Sequence, residues 1–287
     1  MPAHYHYLVS GLPVLNIDVQ KLTVSSVEFK EQLLQGLSRQ DMQLVEWLFL
    51  RFDHENLLHL MFNREEPWDN RGNFSREELE QLLDKKGIAM RDITKYPDYF
   101  QRFLQDVHGK EAPESQASAS RRLSSGYYDF LDRLKNPFMQ KTSGYERNMA
   151  NITTALNARK YELDPENLLI GEDEITETIK NSRAADFGLS SRIGYIEELL
   201  EIFESGNIQE REMKLDMHKW RYLEDITFFN YFTVERILAF LLKLFIVERW
   251  YGLDKEKGME IFKKLFNEIK SGFEFPEEYS LSYGKKT

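Results

Sequence analysis

Helical periodicity runs through almost every segment of this 287-residue chain, and strict apolar–polar alternation is scarce. A chain patterned this way has little from which to build a sheet. It must bury helix stripes against one another, so the expected fold class is all-α. The expected helices and their connections differ in length, which argues against a simple four-helix bundle. Hydrophobic residues make up 41% of the chain and aromatics 13%, enough to fill a core of that kind.

The stretch Ser143 to Leu163 shows the pattern at its sharpest. Ser143 and Glu146 have the S-x-x-E spacing of a capping box, so a helix is expected to start there. At about 100° per residue, Asn148, Ile152, Ala155 and Arg159 fall along one line. Tyr145, Met149, Leu156 and Leu163 lie beside it. An Asn and an Arg on an apolar face need partners, because an unpaired buried polar group costs roughly 1–3 kcal/mol and a buried charge costs more. Asn151 is expected nearest an edge, available to a partner. On a later helix, Glu248 shares a face with Ile237, Leu241, Leu244 and Phe245. One reading pairs Arg159 with Glu248, with Glu235 as the substitute carboxylate. In the alternative, each reaches an edge and meets water.

Local signals divide the rest. Tyr5 to Val9 reads as a short strand or extended lead-in, ended by Gly11-Leu12-Pro13. Ser25 with Glu28, and Ser75 with Glu78, are capping boxes; the second helix is expected to stop near Gly87. Ser38 caps a long helix over 41–62, whose core line is Trp47, Leu50, His54, Leu57 and Met61. Further helices are expected near 98–107, 123–134, 173–182, 190–204, 207–223, 231–251 and 254–271, with Asn136-Pro137 ending the second of these. Residues 109–120 lack large apolar side chains and read as an exposed linker between an N-terminal helical part, 1–108, and a C-terminal one, 121–287. Asp53-x-x-Asn56-Leu57 and Asn148-x-x-Asn151-Ile152 give a faint internal repeat.

Catalytic signatures are missing. His54 and His59 are five residues apart, which sets them about 140° apart on a helix, so they do not form the i, i+4 pair of a zinc protease. His54 reads as a core histidine with a local hydrogen bond, and His59 as facing solvent or a partner. His4 and His6 share one side of the N-terminal segment without an acidic companion nearby. His108 lies at the linker edge and His218 on a charged helix. No phosphate loop, nucleophile elbow or dinucleotide turn occurs. Glu172-Asp173-Glu174 sits at a helix start, where it favours the macrodipole. No catalytic residue, metal ligand or cofactor-binding residue is nominated, and an enzyme is not expected.

Composition narrows the class further. With no cysteine, a disulfide framework or thiolate metal site is excluded. A net charge of −10 argues against a nucleic-acid partner. Ile237 to Val247, interrupted once by Lys243, is the longest apolar run and is far short of the roughly 20 residues needed to cross a bilayer. The first residues lack a basic stretch followed by an apolar one, so no secretory signal is expected and the location is expected to be cytoplasmic.

Two stretches carry a family likeness. N-M-A-N-I-T-T-A-L-N-A-R from Asn148 to Arg159, with the helix F-T-V-E-R-I-L-A-F-L-L-K-L-F-I-V-E-R that contains Glu248, resembles the family of C-type subunits of V/A-type ATPases, the d-type subunits of eukaryotic V-type enzymes. The likeness covers roughly 123–270. Y-x-x-L-V-x-G-L-P from Tyr5 to Pro13 is similar to the start of a bacterial family of uncharacterised proteins encoded beside V/A-type ATPase subunits. The resemblance implies an all-helical funnel of related bundles that binds no nucleotide or cofactor. It implies a central-stalk coupling subunit on the cytoplasmic face of the membrane, joining shaft subunits to the membrane rotor ring. Asn148, Asn151 and Arg159 fall on the family's motif and read as structural ties, as does Glu248. A stand-alone helical scaffold of the same fold is the second reading. A metal-dependent enzyme using His4, His6 or His59 is the third.

Overall fold

The structure, a computed structural model, describes residues 4–15, 22–65, 67–84, 95–109 and 111–252. Among these residues the fold is all-α, with no strand. The helices are α1 (His6–Ser10), α2 (Ser26–Gly36), α3 (Arg39–Phe62), α4 (Arg76–Leu83), α5 (Asp98–His108) and α6 (Gln116–Asp132). Then follow α7 (Pro137–Lys160), α8 (Glu174–Asn181), α9 (Ile196–Glu204), α10 (Ile208–Ile226) and α11 (Val234–Gly252). The expected helix at 254–271 and the polar tail after it lie outside the described residues, as does Gly87.

Polar caps set most of the boundaries. Ser25 with Glu28 and Ser75 with Glu78 form reciprocal boxes, and Ser38 accepts the amide of Asp41. Asp173 and Thr176 form a third box at the start of α8. Three expectations need correction. Tyr5 to Val9 is not extended: α1 begins at His6, anchored by the Tyr5 amide donating to the Phe232 carbonyl at 2.6 Å and by the Tyr5 hydroxyl on Asp41. With no strand among the described residues, an extended segment there would leave its backbone groups unpaired, whereas a helical turn pairs its own. Residues 116–120 are the first turn of α6, capped by Ser115, and Ala119 is buried. The non-helical stretch is therefore shorter than expected, since residues 111–115 stay outside any helix while Ala119 packs against the core.

The third correction concerns α7. It starts at Pro137, not Ser143. Asn136 accepts the Met139 amide and Pro137 fills the first turn, where its missing N–H costs nothing. Asn136-Pro137 therefore begins a helix as well as following one. Ser143 lies in the second turn, buried, its hydroxyl donating to the Tyr128 carbonyl at 3.2 Å.

The largest core draws Phe29 and Leu33 from α2, Phe49 and Leu57 from α3, Phe100 from α5, Leu123 from α6 and most of the apolar side of α11. It thus runs across the expected 109–120 boundary. Phe49 and Phe52 both meet Phe245 edge-on, with ring centroids 5.1 and 5.0 Å away. A second core joins Ile152 and Ala155 of α7 to Ile179 of α8 and Ile196, Leu199 and Ile202 of α9. The first turn of α7 packs in the first core through Phe138 and Met139, so this 24-residue helix, about 36 Å long, spans both. A third cluster closes α10 on α11 through Met213, Met217, Trp220, Ile246, Val247 and Trp250. No helix among the described residues is long and apolar enough to cross a membrane.

Candidate functional site

The polar line of α7 serves the loop and helices beside it. Asn151 is 1% exposed, which corrects the expectation that it lies at an edge. Its amide clamps one peptide: Nδ2 donates to the Ile170 carbonyl at 2.9 Å and Oδ1 accepts the Ile170 amide at 2.7 Å. Asn148 lies on the Tyr195 hydroxyl. Arg159 does not pair with Glu248 or Glu235. Its guanidinium donates to the Ala184 and Ala185 carbonyls at 2.9 and 3.2 Å and lies 4.0 Å from the Phe187 ring centroid. The second half of α7 belongs to the core it shares with α8 and α9, away from α11. Glu248 instead sits on the start of α2, accepting the Ser26 amide at 2.6 Å and the Ser26 hydroxyl at 2.7 Å, with Arg71 at 3.3 Å. A carboxylate there satisfies an orphan amide and complements the helix dipole. Glu235 accepts from Asn136 and Thr233.

The clamp occurs twice. Asn56 of α3 holds Asp69 in the same manner, donating to its carbonyl at 2.8 Å and accepting its amide at 2.9 Å. In each case a 24-residue helix is followed by a loop fixed by its asparagine, then by a capped helix of eight residues. Three residues before Asn56, buried Asp53 accepts the Phe74 amide at 3.0 Å and Asn73 Nδ2 at 2.7 Å. Burial pushes the Asp53 carboxyl up to about 6 against these donors. Gly72 has to be glycine, because a Cβ there would lie 2.6 Å from Asp53 Oδ1. In the second unit Gly171, at φ +81°, follows the clamped peptide. The faint repeat Asp53-x-x-Asn56 and Asn148-x-x-Asn151 thus marks two like-built units.

Between these units lies a charged centre that the cap-like spacing of Glu146 obscured. Its carboxylate is almost enclosed and meets Arg51 of α3 at 3.0 Å and Lys219 of α10. Burial opposes the charge, but the two cations overcome it and hold the carboxyl down at about 2. One side chain thus ties α3, α7 and α10. The signal available in sequence was a carboxylate beside the apolar Tyr145 and Met149; its partners lie 95 and 73 residues away and carry no local mark.

The histidines are mostly internal. His54 Nε2 lies 2.7 Å from the Tyr99 hydroxyl, and burial lowers its pKa to about 3, so it stays neutral. His218 Nδ1 lies 2.6 Å from the Tyr145 hydroxyl, and Nε2 is 3.5 Å from Glu198. The His59 ring packs edge-on to Trp68, half-buried, and His108 meets the Leu82 carbonyl. His4 and His6 stack on each other with ring centroids 5.8 Å apart. Among the described residues, no group of three His, Cys, Asp or Glu side chains is arranged to hold a metal ion.

An aromatic corner between α10 and α11 faces outward. Phe228, Phe229 and Tyr231 are 66, 81 and 64% exposed. The turn is held by Asn230 N donating to the Thr227 carbonyl at 2.9 Å, and the Phe228 and Phe229 rings meet edge-on at 4.9 Å. Beside it runs a groove of about 730 Å³, lined by Leu12, Leu15, Trp220, Phe228, Phe232 and Phe240 among others. The sequence signal was four aromatics in five positions, 228–232, between two helix ends. The whole arrangement is chemically suited to holding helices rigid and to docking a partner.

Neither the curated proteins nor the solved structures contain a match to the chain. The model of one protein family matches residues 2–273, and the chain belongs to that family, described as Protein of unknown function (DUF2764).

Proposed function

We propose that this protein is a non-catalytic central-stalk coupling subunit of a V/A-type rotary ATPase, located at the cytoplasmic face of the membrane and linking shaft subunits to the rotor ring. The observation that carries the reading is the twice-built unit of long helix, asparagine-clamped loop and eight-residue helix. A body made of related helical units is what the resemblance of the Asn148–Arg159 and 232–249 stretches implies. The buried Arg51–Glu146–Lys219 centre adds support: a part that transmits torque needs its long helices cross-tied, and this centre ties three.

The test is co-purification. A tagged chain, expressed in its own host and extracted gently, is expected to bring down shaft subunits and the rotor ring in stoichiometric amounts. Its deletion is expected to uncouple ATP hydrolysis from ion transport in membrane vesicles. A chain that associates with neither, and whose deletion leaves transport coupled, is a stand-alone helical scaffold and the proposal fails.

A further inference from the structure

The groove beside the aromatic corner has the features of a recognition site. Four aromatics stand within five residues, and three of them project into solvent from a turn fixed by its own hydrogen bonds. The corner is strapped at its far side, where the Tyr5 amide holds the Phe232 carbonyl and the His6 ring lies 4.3 Å from the Phe232 ring. Exposed Phe on a rigid turn is costly to leave in water, and aromatics with arginine dominate the energetic centres of interfaces. The volume, about 730 Å³, falls among clefts that hold ligand-sized groups, roughly 300–1,000 Å³.

Charge decides between occupants. Three charged side chains line the groove: Glu224, Arg236 and Lys243. Glu224 and Lys243 neutralise each other at 3.2 Å. Arg236 has no carboxylate partner among the described residues, so the apolar groove carries one uncompensated guanidinium. A carboxylate supplied from outside would complete it by the planar, bidentate pairing that guanidinium favours. The chain's net charge of −10 sets it against an anionic bilayer and against a second copy of itself. The described residues include no strand, so no open sheet edge is offered to an extended peptide. Helices bound the groove on α10 and α11, and such grooves take the apolar face of another helix.

We propose that this groove docks an amphipathic helix of a partner protein, whose apolar face fills the space beside Trp220, Phe228 and Phe240 and carries one Asp or Glu that pairs with Arg236. This inference does not rest on the rotary-ATPase reading, because it concerns the chemistry of the docked segment and not the identity of the machine.

The experiment selects peptides from a displayed library of amphipathic helices, with apolar positions at i, i+3, i+4 and i+7 and the remaining positions randomised, against the purified full-length protein. Enriched peptides are expected to carry a carboxylate bordering the apolar stripe, and the best of them to lose at least about tenfold in affinity when that residue becomes Lys. Arg236→Glu is expected to reverse the choice and enrich Lys or Arg at the same position. Arg236 is half-buried, so an unchanged circular dichroism spectrum is the control for this variant. Phe228→Ser combined with Phe229→Ser is expected to abolish enrichment while leaving the circular dichroism spectrum unchanged. No enrichment, or enrichment without bias at the carboxylate position, overturns the proposal. So does sedimentation of the protein with phosphatidylcholine vesicles, or a dimer in sedimentation equilibrium, if either is lost in the same double variant.

Discussion

Replacing Glu146 by Gln keeps the shape of the side chain and removes the charge that Arg51 and Lys219 share. The drop of its carboxyl from the ordinary 4.5 to about 2, at about 1.4 kcal/mol per unit, corresponds to about 3 kcal/mol of stability at neutral pH. That agrees with the roughly 3–5 kcal/mol lost when one partner of a buried ion pair is removed and the other stays behind. Because the folded pKa lies below the unfolded one, the contribution is complete above about 4.5 and disappears as pH falls through about 2. Asp53 titrates nearby in the opposite sense, so the quantity to read is the difference between wild type and variant. Urea unfolding followed by far-ultraviolet circular dichroism is expected to give a difference of about 3 kcal/mol near pH 7 that shrinks toward zero as pH approaches about 2. A difference below about 1 kcal/mol near neutral pH, or one that does not shrink on acidification, would refute the reasoning, because the carboxylate would then contribute no more than an exposed ion pair.

Asn151→Ala and Asn56→Ala each remove both hydrogen bonds of a loop clamp, and each is expected to cost about 1–3 kcal/mol in chemical denaturation; near-neutral behaviour at either site would mean that its loop is held by something else. Gly126→Ala should lower Tm although alanine favours helix by about 1 kcal/mol, since the added Cβ would stand 2.9 Å from Tyr99 Cβ where α5 crosses α6; a rise in Tm would contradict the packing. Asp53, raised by burial from 3.8 to about 6, favours its protonated form in the fold. Its contribution is full below about 3.8 and lost as pH rises through about 6, so Asp53→Asn should flatten the stability profile between those values, as followed by thermal unfolding across pH.

Helix positions were legible wherever a polar side chain next to a helix start had nothing else to bind. Ser25, Ser38 and Ser75 cap as their spacing implies. Ser143 and Glu146 have the same spacing and do not cap, because a stronger start stands six residues earlier at Asn136-Pro137, leaving both side chains to find partners across the interior. A stripe on a helix likewise tells that a face is covered without telling by which element. Arg159 and Glu248 lie on comparable stripes, yet one meets carbonyls of the 184–185 turn and the other meets the first amide of α2. The asparagine repeat was readable because the interaction it makes is local, with a peptide 13 or 19 residues ahead. The groove at the aromatic corner was not, since it forms only when residues 9–15 are brought against α10 and α11.

The largest core joins α2 and α3 to α11, through pairs such as Phe29 with Phe240 and Phe49 with Phe245. A ribosome adds about 5–20 residues per second, so the partners in each of these pairs emerge on the order of ten or more seconds apart. During that interval Phe29 and Phe49 lack the α11 rings that cover them, Phe240 and Phe245, and apolar surface left open in this way is what leads nascent chains to recruit chaperones or aggregate. Completion of the core is therefore a late event in synthesis. Truncations that stop short of α11 should accumulate in the insoluble fraction, while the same residues remain soluble within the full chain.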